Sequence, residues 1–177
     1  MRPQSKLRVL IGREEISKTV ARLAFEINRD YRGKEPVLIG LLKGSFVFMA
    51  DLIRHLDLPI EIDFVTVSSY GSAKETSGKV KMVQGLRTPI RGRDVLVIED
   101  IVDTGLSMSF LLAYLGKRKP ASLKLCALTH KPSRCQIPIS IDYLGLTVPD
   151  EFIVGYGLDF NERFRHLPDI CVLEREK

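Results

Sequence analysis

The stretch from Arg93 to Ser109 limits the possible architectures more than any other part of the chain. Val95–Ile98 is a continuous apolar, mostly β-branched run, the mark of a strand covered on both faces. Two adjacent carboxylates, Glu99 and Asp100, end the run, and a third, Asp103, comes after Ile101 and Val102. Thr104-Gly105-Leu106-Ser107 then leads into an apolar, helix-like segment from Met108 to Leu115. The order predicts a buried strand, an acidic loop and a helix N-terminus, the repeating unit of an α/β protein with a parallel sheet.

The chemistry available in that loop is specific. A helix N-terminus presents unpaired N–H groups and partial positive charge, and a phosphate is well held there. Gly105 permits φ > 0 and a close backbone approach, while the hydroxyls of Thr104, Ser107 and Ser109 add donors. At the other end, Glu99 and Asp100 suit sugar hydroxyls or a hard cation. A ligand with a phosphate at one end and a diol in the middle, such as a ribose 5-phosphate, fits this order of groups. A strand that simply ends in solvent would account for Glu99 and Asp100. It would not account for Ile101-Val102 leading into Asp103-Thr104-Gly105 and Ser107.

The rest of the chain repeats the unit. Residues 13–29 carry Ile16, Val20, Leu23, Ala24 and Ile27 at helical spacing, and Gly33 and Pro36 end that helix. Residues 37–42 form a second continuous apolar strand, Lys43-Gly44-Ser45 closes it, and 45–56 reads as a helix with Met49, Leu52, Ile53 and Leu56 on one face. Residues 60–70 begin as a half-exposed strand, because Ile60, Ile62 and Phe64 alternate with Glu61 and Asp63. Residues 68–78 are small, polar and without apolar period, a long connection of the kind that often serves as a lid, and 79–85 alternate as a returning strand. After a helix over 107–117, Ser122–Thr129 is a further buried-type strand ending at His130-Lys131. Short strands are expected at 141–148, 152–156 and 170–173. Lys43 and Lys131 thus both fall at strand C-termini, where open α/β sheets bind their ligands. Position alone is equally consistent with Lys43 as a solvated loop lysine.

Composition sets broad limits. The chain has 177 residues, enough for one domain with a sizeable core, and its formal net charge is +5. That mild basicity is compatible with an anionic substrate or an RNA partner and decides neither. Lys117-Arg118-Lys119 is a basic run at an expected helix end, where cations are favourable. The three cysteines, Cys126, Cys135 and Cys171, lack metal-ligand spacing, and the odd count suits reduced thiols. His55, His130 and His166 are too scattered for a zinc site. No apolar run approaches the ~18 residues of a membrane span, and Met1–Lys6 lacks a signal-peptide core, so a cytoplasmic location is expected.

The central stretch resembles the phosphoribosyl-pyrophosphate (PRPP) motif of type I phosphoribosyltransferases. Leu42-Lys43-Gly44, Ser69-Tyr70-Gly71, the Lys131 segment and the segment from Phe152 to Arg165 extend the resemblance to hypoxanthine-guanine phosphoribosyltransferases over nearly all of residues 8–174. The resemblance implies one phosphoribosyltransferase domain over 1–177, with a mostly parallel twisted sheet flanked by helices, a small C-terminal hood and a hairpin carrying a mobile loop. It also implies transfer of phosphoribose from PRPP to a 6-oxopurine with Mg²⁺ as cofactor, and a homodimer or homotetramer.

The same resemblance implies roles for individual residues. Thr104, Gly105, Leu106 and Ser107 would hold the 5′-phosphate, and Glu99 and Asp100 would face the ribose diol and Mg²⁺. Asp103 would serve as acid–base group at purine N7, or alternatively only hold the loop turn. Lys43, Gly44, Ser69, Tyr70 and Arg165 would contact pyrophosphate, the first two in a segment that often contains a non-proline cis bond. Lys131 would donate to the purine O6, Phe152 would stack on the base and the Ile153 backbone would read its edge. Asp159 would hold a second Mg²⁺ bound to pyrophosphate and belongs with the residues around the purine base. From its own sequence context Phe152 is equally a core aromatic. Leu106 stands where several relatives carry a polar or basic residue, which puts only a side-chain contact in doubt, and Ser107 replaces the commoner Thr with the hydroxyl kept.

Two other readings share the motif: a nucleotide-sensing, RNA-binding regulator on the same fold, and a phosphoribosyltransferase preferring xanthine. Lys131, Phe152, Asp159 and Arg165 match the purine enzymes, and no dense basic, aromatic-interleaved stretch favours nucleic acid.

Overall fold

The computed structural model describes residues 6–70 and 79–174. The elements run β1 Lys6–Ile11, α1 Arg13–Asp30, β2 Val37–Leu42, α2 Phe46–Ile53, β3 Glu61–Tyr70, β4 Lys79–Gln84, β5 Asp94–Val102, α3 Leu106–Gly116, β6 Ser122–His130, β7 Tyr143–Thr147, β8 Ile153–Val154 and β9 Ile170–Glu174. A single 3₁₀ turn, Pro132–Arg134, comes after β6.

Six strands form the main sheet in the order β4-β3-β2-β5-β6-β7. All neighbours are parallel except β3 and β4, which form the expected antiparallel hairpin. The chain builds outward from β2 through β3 to β4, then jumps back to β5 and builds outward through β6 to β7. The direction of winding therefore reverses between β2 and β5, and the crevice beyond their C-terminal ends is the switch point where such sheets bind ligands.

The central strands are apolar on both faces because both faces are covered. Leu38, Leu96, Ile98, Cys126 and Leu128 point into a core with Ile16, Val20, Leu23 and Ile27 of α1 and Phe48, Met49 and Leu52 of α2. Their alternate neighbours Val37, Ile39, Val95, Val97 and Leu125 face Met108, Leu111 and Leu115 of α3 on the other side. The two-residue alternation along each strand is what divides one run into two cores. A second, three-stranded sheet, β1-β9-β8, forms the hood. Its Ile11, Ile153, Ile170 and Val172 join the α1–α2 core, which ties the hood to the sheet.

Several boundaries differ from expectation for identifiable reasons. β5 runs through Glu99 and Asp100 to Val102, since its register with β6 continues from Glu99↔Ala127 to Val102↔His130. The acidic pair therefore lies in the strand, 8% and 7% exposed, and not in a loop. α2 ends at Ile53, three residues short of the expected end, because the Asn28 amide donates to the His55 carbonyl and accepts from Asp57 N–H. β7 and β8 are shorter than the apolar runs that contain them. β1 was not expected from the sequence: it pairs antiparallel with β9, and its residues up to Val9 are exposed, so no buried run announces it. The expectations for α1 and β2 hold, and Cys126 and Cys171 are buried. Among the described residues no helix is long and apolar enough to cross a membrane.

Candidate active site

The loops after β2 and β5 meet at the switch point. The Leu42–Lys43 peptide is cis. Gly44 lies so close to the acidic pair that a Cβ there would overlap Asp100 Oδ2. A side chain at that position would have to displace the Asp100 carboxylate. A cavity of about 310 Å³ opens here, lined by Lys43, Gly44, Glu99, Asp100, Ser107, Asp159 and Arg165 among others. A second cavity of about 230 Å³ adjoins it through Glu99 and Ser107 and is lined by Asp103, Thr104 and Gly105. Predicted residues from the segments at Lys43, Glu99–Ser107 and Asp159–Arg165 thus line two adjoining cavities, whereas Lys131, Phe152 and Ile153 line neither.

The loop between β5 and α3 is held mainly by backbone groups. Gly105 caps α3 with φ 81°, the left-handed conformation that glycine adopts freely. A Cβ there would also overlap the Ile137 carbonyl. The Thr104 carbonyl accepts from Gln136 and Ile137 N–H (3.0 and 3.1 Å), which braces the loop from the β6–β7 connection. The Thr104 hydroxyl accepts a long bond from Leu106 N–H, 3.4 Å. Ser107 lies within the first turn of α3, so its N–H and hydroxyl border the crevice. This loop can coordinate a phosphate as the sequence suggests.

The acidic pair is electrostatically frustrated. Burial, and then the charge of Asp100, push the Glu99 carboxyl well above the usual carboxylate range. Glu99 Oε2 is buried with no hydrogen-bond partner. Burial likewise pushes Asp100 up to about 6, against the backbone N–H groups of Ile101 and Asp100 and the charge of Arg165, while Asp159 adds to the rise. Desolvated carboxylates with unused oxygens suit a diol donor or a hard cation.

The pair also predicts a pH dependence. In the folded chain Asp100 holds its proton up to about 6, whereas the ordinary value is 3.8. The folded state therefore binds more protons than the unfolded one between these values, and Asp100 removes stability as pH rises from about 4 through about 6. Glu99 acts in the same direction. The wild-type melting temperature should fall over this window relative to Asp100→Asn. Parallel melting profiles for the two proteins would contradict the assignment.

Asp103 lies just beyond β5. Its Oδ1 is buried and has no hydrogen bond, although Arg134 Nε lies 3.1 Å away as an ion-pair partner. Sequence reasoning missed Arg134, which the 3₁₀ turn after Lys131 brings back to the loop. Lys131 itself is 5% exposed. Its backbone N–H donates to the Val102 carbonyl (2.9 Å), and its ammonium donates to the Glu151 carbonyl (2.8 Å). A buried ammonium held by one carbonyl retains donors for a ligand acceptor.

Phe152, the residue after Glu151, is 44% exposed, so it is not a core aromatic. It packs edge-on against Phe160, with ring centroids 5.5 Å apart at 84°, which braces the ring. Ile153 is buried in β8 and pairs with Val172.

At the opposite end Arg165 donates to the Gly157 carbonyl (2.7 Å) and pairs with Asp159 (2.8 Å) and Glu162 (3.3 Å). Lys43 also pairs with Glu162, at 3.0 Å. Glu162 was not predicted. Ser69 and Tyr70 end β3 opposite Val80 and Lys79, which sets the base of the hairpin; the expected lid loop beyond them, 71–78, lies outside the described residues. A larger cavity, about 720 Å³, is elsewhere: it lies between α1, α2 and the β8–β9 connection and shares only Arg165 with the first of the two adjoining cavities.

Comparison with known proteins agrees with this architecture. Residues 12–161 match the phosphoribosyl transferase domain model. The chain is 48% identical over 167 residues to hypoxanthine-guanine phosphoribosyltransferase of Bacillus subtilis, covering 94% of this chain and 93% of that protein. It is 48% identical over 162 residues to hypoxanthine phosphoribosyltransferase of Salmonella typhimurium, covering 90% and 91%. A crystal structure of a hypoxanthine-guanine phosphoribosyltransferase from Bacillus anthracis, with a HEPES molecule in its active site, superposes with a TM-score of 0.91 at 46% identity, covering 97% of this chain and 100% of that one. The fold, the wound-back sheet with its hood and the extent of these matches place the chain in the phosphoribosyltransferase family, among its hypoxanthine-guanine phosphoribosyltransferases.

Proposed function

We propose that the chain transfers the 5-phosphoribosyl group of PRPP to hypoxanthine or guanine, giving IMP or GMP and pyrophosphate, as an enzyme of purine salvage. The observation that carries the assignment of the base is the ammonium of buried Lys131, anchored on the carbonyl of Glu151, the residue before the partly exposed Phe152. A 6-oxopurine stacked on Phe152 offers O6 as acceptor to Lys131, whereas adenine would meet it with a donor. The Ile153 backbone reads the ring edge. Neither the regulator nor a xanthine preference is favoured by any observation.

The remaining groups divide the work along the crevice. The N–H groups and hydroxyls from Thr104 to Ser107 hold the 5′-phosphate, with Leu106 contributing backbone only. Glu99 and Asp100 orient the ribose diol. Asp103 takes the proton from purine N7 as the glycosidic bond forms and returns it in the reverse direction. Lys43, Gly44 and Arg165 receive the departing pyrophosphate, and Ser69 and Tyr70 at the hairpin base cover it. The transition state is oxocarbenium-like, so water exclusion protects the activated sugar.

Glu99 and Asp100 would take one Mg²⁺ and Asp159 a second; among the described residues no group of three or more metal-ligating side chains is already assembled. All three carboxylates are oxygen donors lining one cavity, two of them desolvated and one with an orphaned oxygen. Bound there, Mg²⁺ would neutralise diphosphate charge and improve the leaving group. With hypoxanthine, PRPP and Mg²⁺, nucleoside monophosphate should accumulate and fall to background in excess chelator. Full activity in chelator would contradict the metal role, and no product from any 6-oxopurine would overturn the function.

One hydrophobic core spanning sheet, α1, α2 and hood supports a single working domain over 1–177. A homodimer or homotetramer, which the family resemblance implies, is part of the reading. Small-molecule substrates and a cytoplasmic location, without nucleic acid or membrane, complete the reading.

A further inference from the structure

The diphosphate end of the crevice contains its own anion. Lys43 and Arg165 are the cations there, and the carboxylates of Asp159 and Glu162 pair with them. Glu162 bridges the two cations, 3.0 Å from Lys43 Nζ and 3.3 Å from Arg165 Nη2. Its carboxyl is held below the usual range by the hydrogen bond from Lys43 first, and then by that from Arg165. Arg165 Nε remains buried and without a partner, an open donor beside the neutralised pair.

The backbone gives a second, independent observation. Phe160 and Arg163 exchange N–H···O bonds, both 3.1 Å, which close a two-residue turn over Asn161 and Glu162. Both central residues have positive φ, 50° and 62°. Turns of that hand favour glycine at the second central position, where an L side chain is strained. A glutamate placed there, with its N–H also bonded to Asp159 Oδ2 at 2.9 Å, directs a carboxylate back across the subsite. Backbone strain kept at such a position points to use of the side chain.

We propose that Glu162 is an internal competitor for the diphosphate subsite: its carboxylate holds Lys43 and Arg165 until a substrate diphosphate displaces it, and it returns as pyrophosphate leaves. The inference rests on the assignment of Lys43 and Arg165 to pyrophosphate. It makes Glu162 a determinant of ligand choice, because it opposes ligands that carry a diphosphate and is indifferent to a nucleoside monophosphate held by the loop at Thr104–Ser107.

The test is calorimetric titration of the full chain with pyrophosphate in Mg²⁺, and separately with GMP, for wild type, Glu162→Gln and Glu162→Gly. Glu162→Gln keeps the side-chain length without the charge, and Glu162→Gly keeps the turn while relieving its backbone. Both should bind pyrophosphate about twofold to tenfold more tightly, the range expected from two exposed ion pairs, with GMP affinity within about twofold of wild type. Unchanged or weaker pyrophosphate binding would overturn the proposal and make Glu162 a positioning residue for the cations. An equal gain for GMP would also overturn it, as a general charge effect. If wild type binds GMP but neither it nor the variants bind pyrophosphate, the assignment of Lys43 and Arg165 fails, and the proposal with it.

Discussion

Asp103→Asn should lower kcat by about 10²–10⁴ while PRPP binding stays within a few-fold of wild type, the signature of a lost proton transfer. The substitution preserves the shape of the side chain and the crevice, and removes the basic carboxylate next to which the Arg134 guanidinium sits. Oδ1 is buried and faces Arg134 Nε at 3.1 Å, which leaves Oδ2 as the oxygen for a proton. Steady-state kinetics against both substrates, combined with direct PRPP titration, separates the outcomes. Equal losses in kcat and PRPP affinity would assign Asp103 to the loop turn instead of to chemistry.

The second large effect is expected at Lys131. Removing a charge-assisted donor to a buried acceptor costs about 1.5–3 kcal/mol, so Lys131→Ala should reduce kcat/KM for hypoxanthine and guanine by about 10- to 150-fold. The loss for adenine should be smaller, and discrimination between 6-oxo and 6-amino purines should narrow. Because Lys131 also bonds the Glu151 carbonyl, an alanine there additionally frees the strand leading to Phe152. Lys131→Met retains the stem and separates the two contributions. Unchanged selectivity in both variants would remove Lys131 from O6 recognition.

Much of this site was legible in the sequence because its parts obey local rules. A doubly covered strand must be apolar throughout, so Val95–Ile98 and Val37–Leu42 announced themselves, and ligands bind beyond the C-terminal ends of such strands. Gly105 was legible because a left-handed cap at a helix N-terminus has few alternatives. The burial of Glu99 and Asp100 within β5 was not legible, since charged residues ordinarily end a buried strand and only the parallel register with β6 carries them inside. Nor were the partners that come from a distance in the chain. Arg134 reaches Asp103 only through a 3₁₀ turn, and Glu162 reaches Lys43 across 119 residues. The adjacent Asn161-Glu162 carried one available signal, since asparagine tolerates positive φ and marks tight turns. β1 was missed because an outer strand with an exposed face has no continuous apolar run.

The most direct test is an initial-rate comparison with PRPP and Mg²⁺ against hypoxanthine, guanine, xanthine, adenine and uracil, each alone. Buried-donor recognition by Lys131 predicts turnover of hypoxanthine and guanine with adenine and uracil inert. Turnover of adenine at a comparable rate would contradict that recognition, and no turnover of any base by folded protein that still binds PRPP would contradict the enzyme assignment itself.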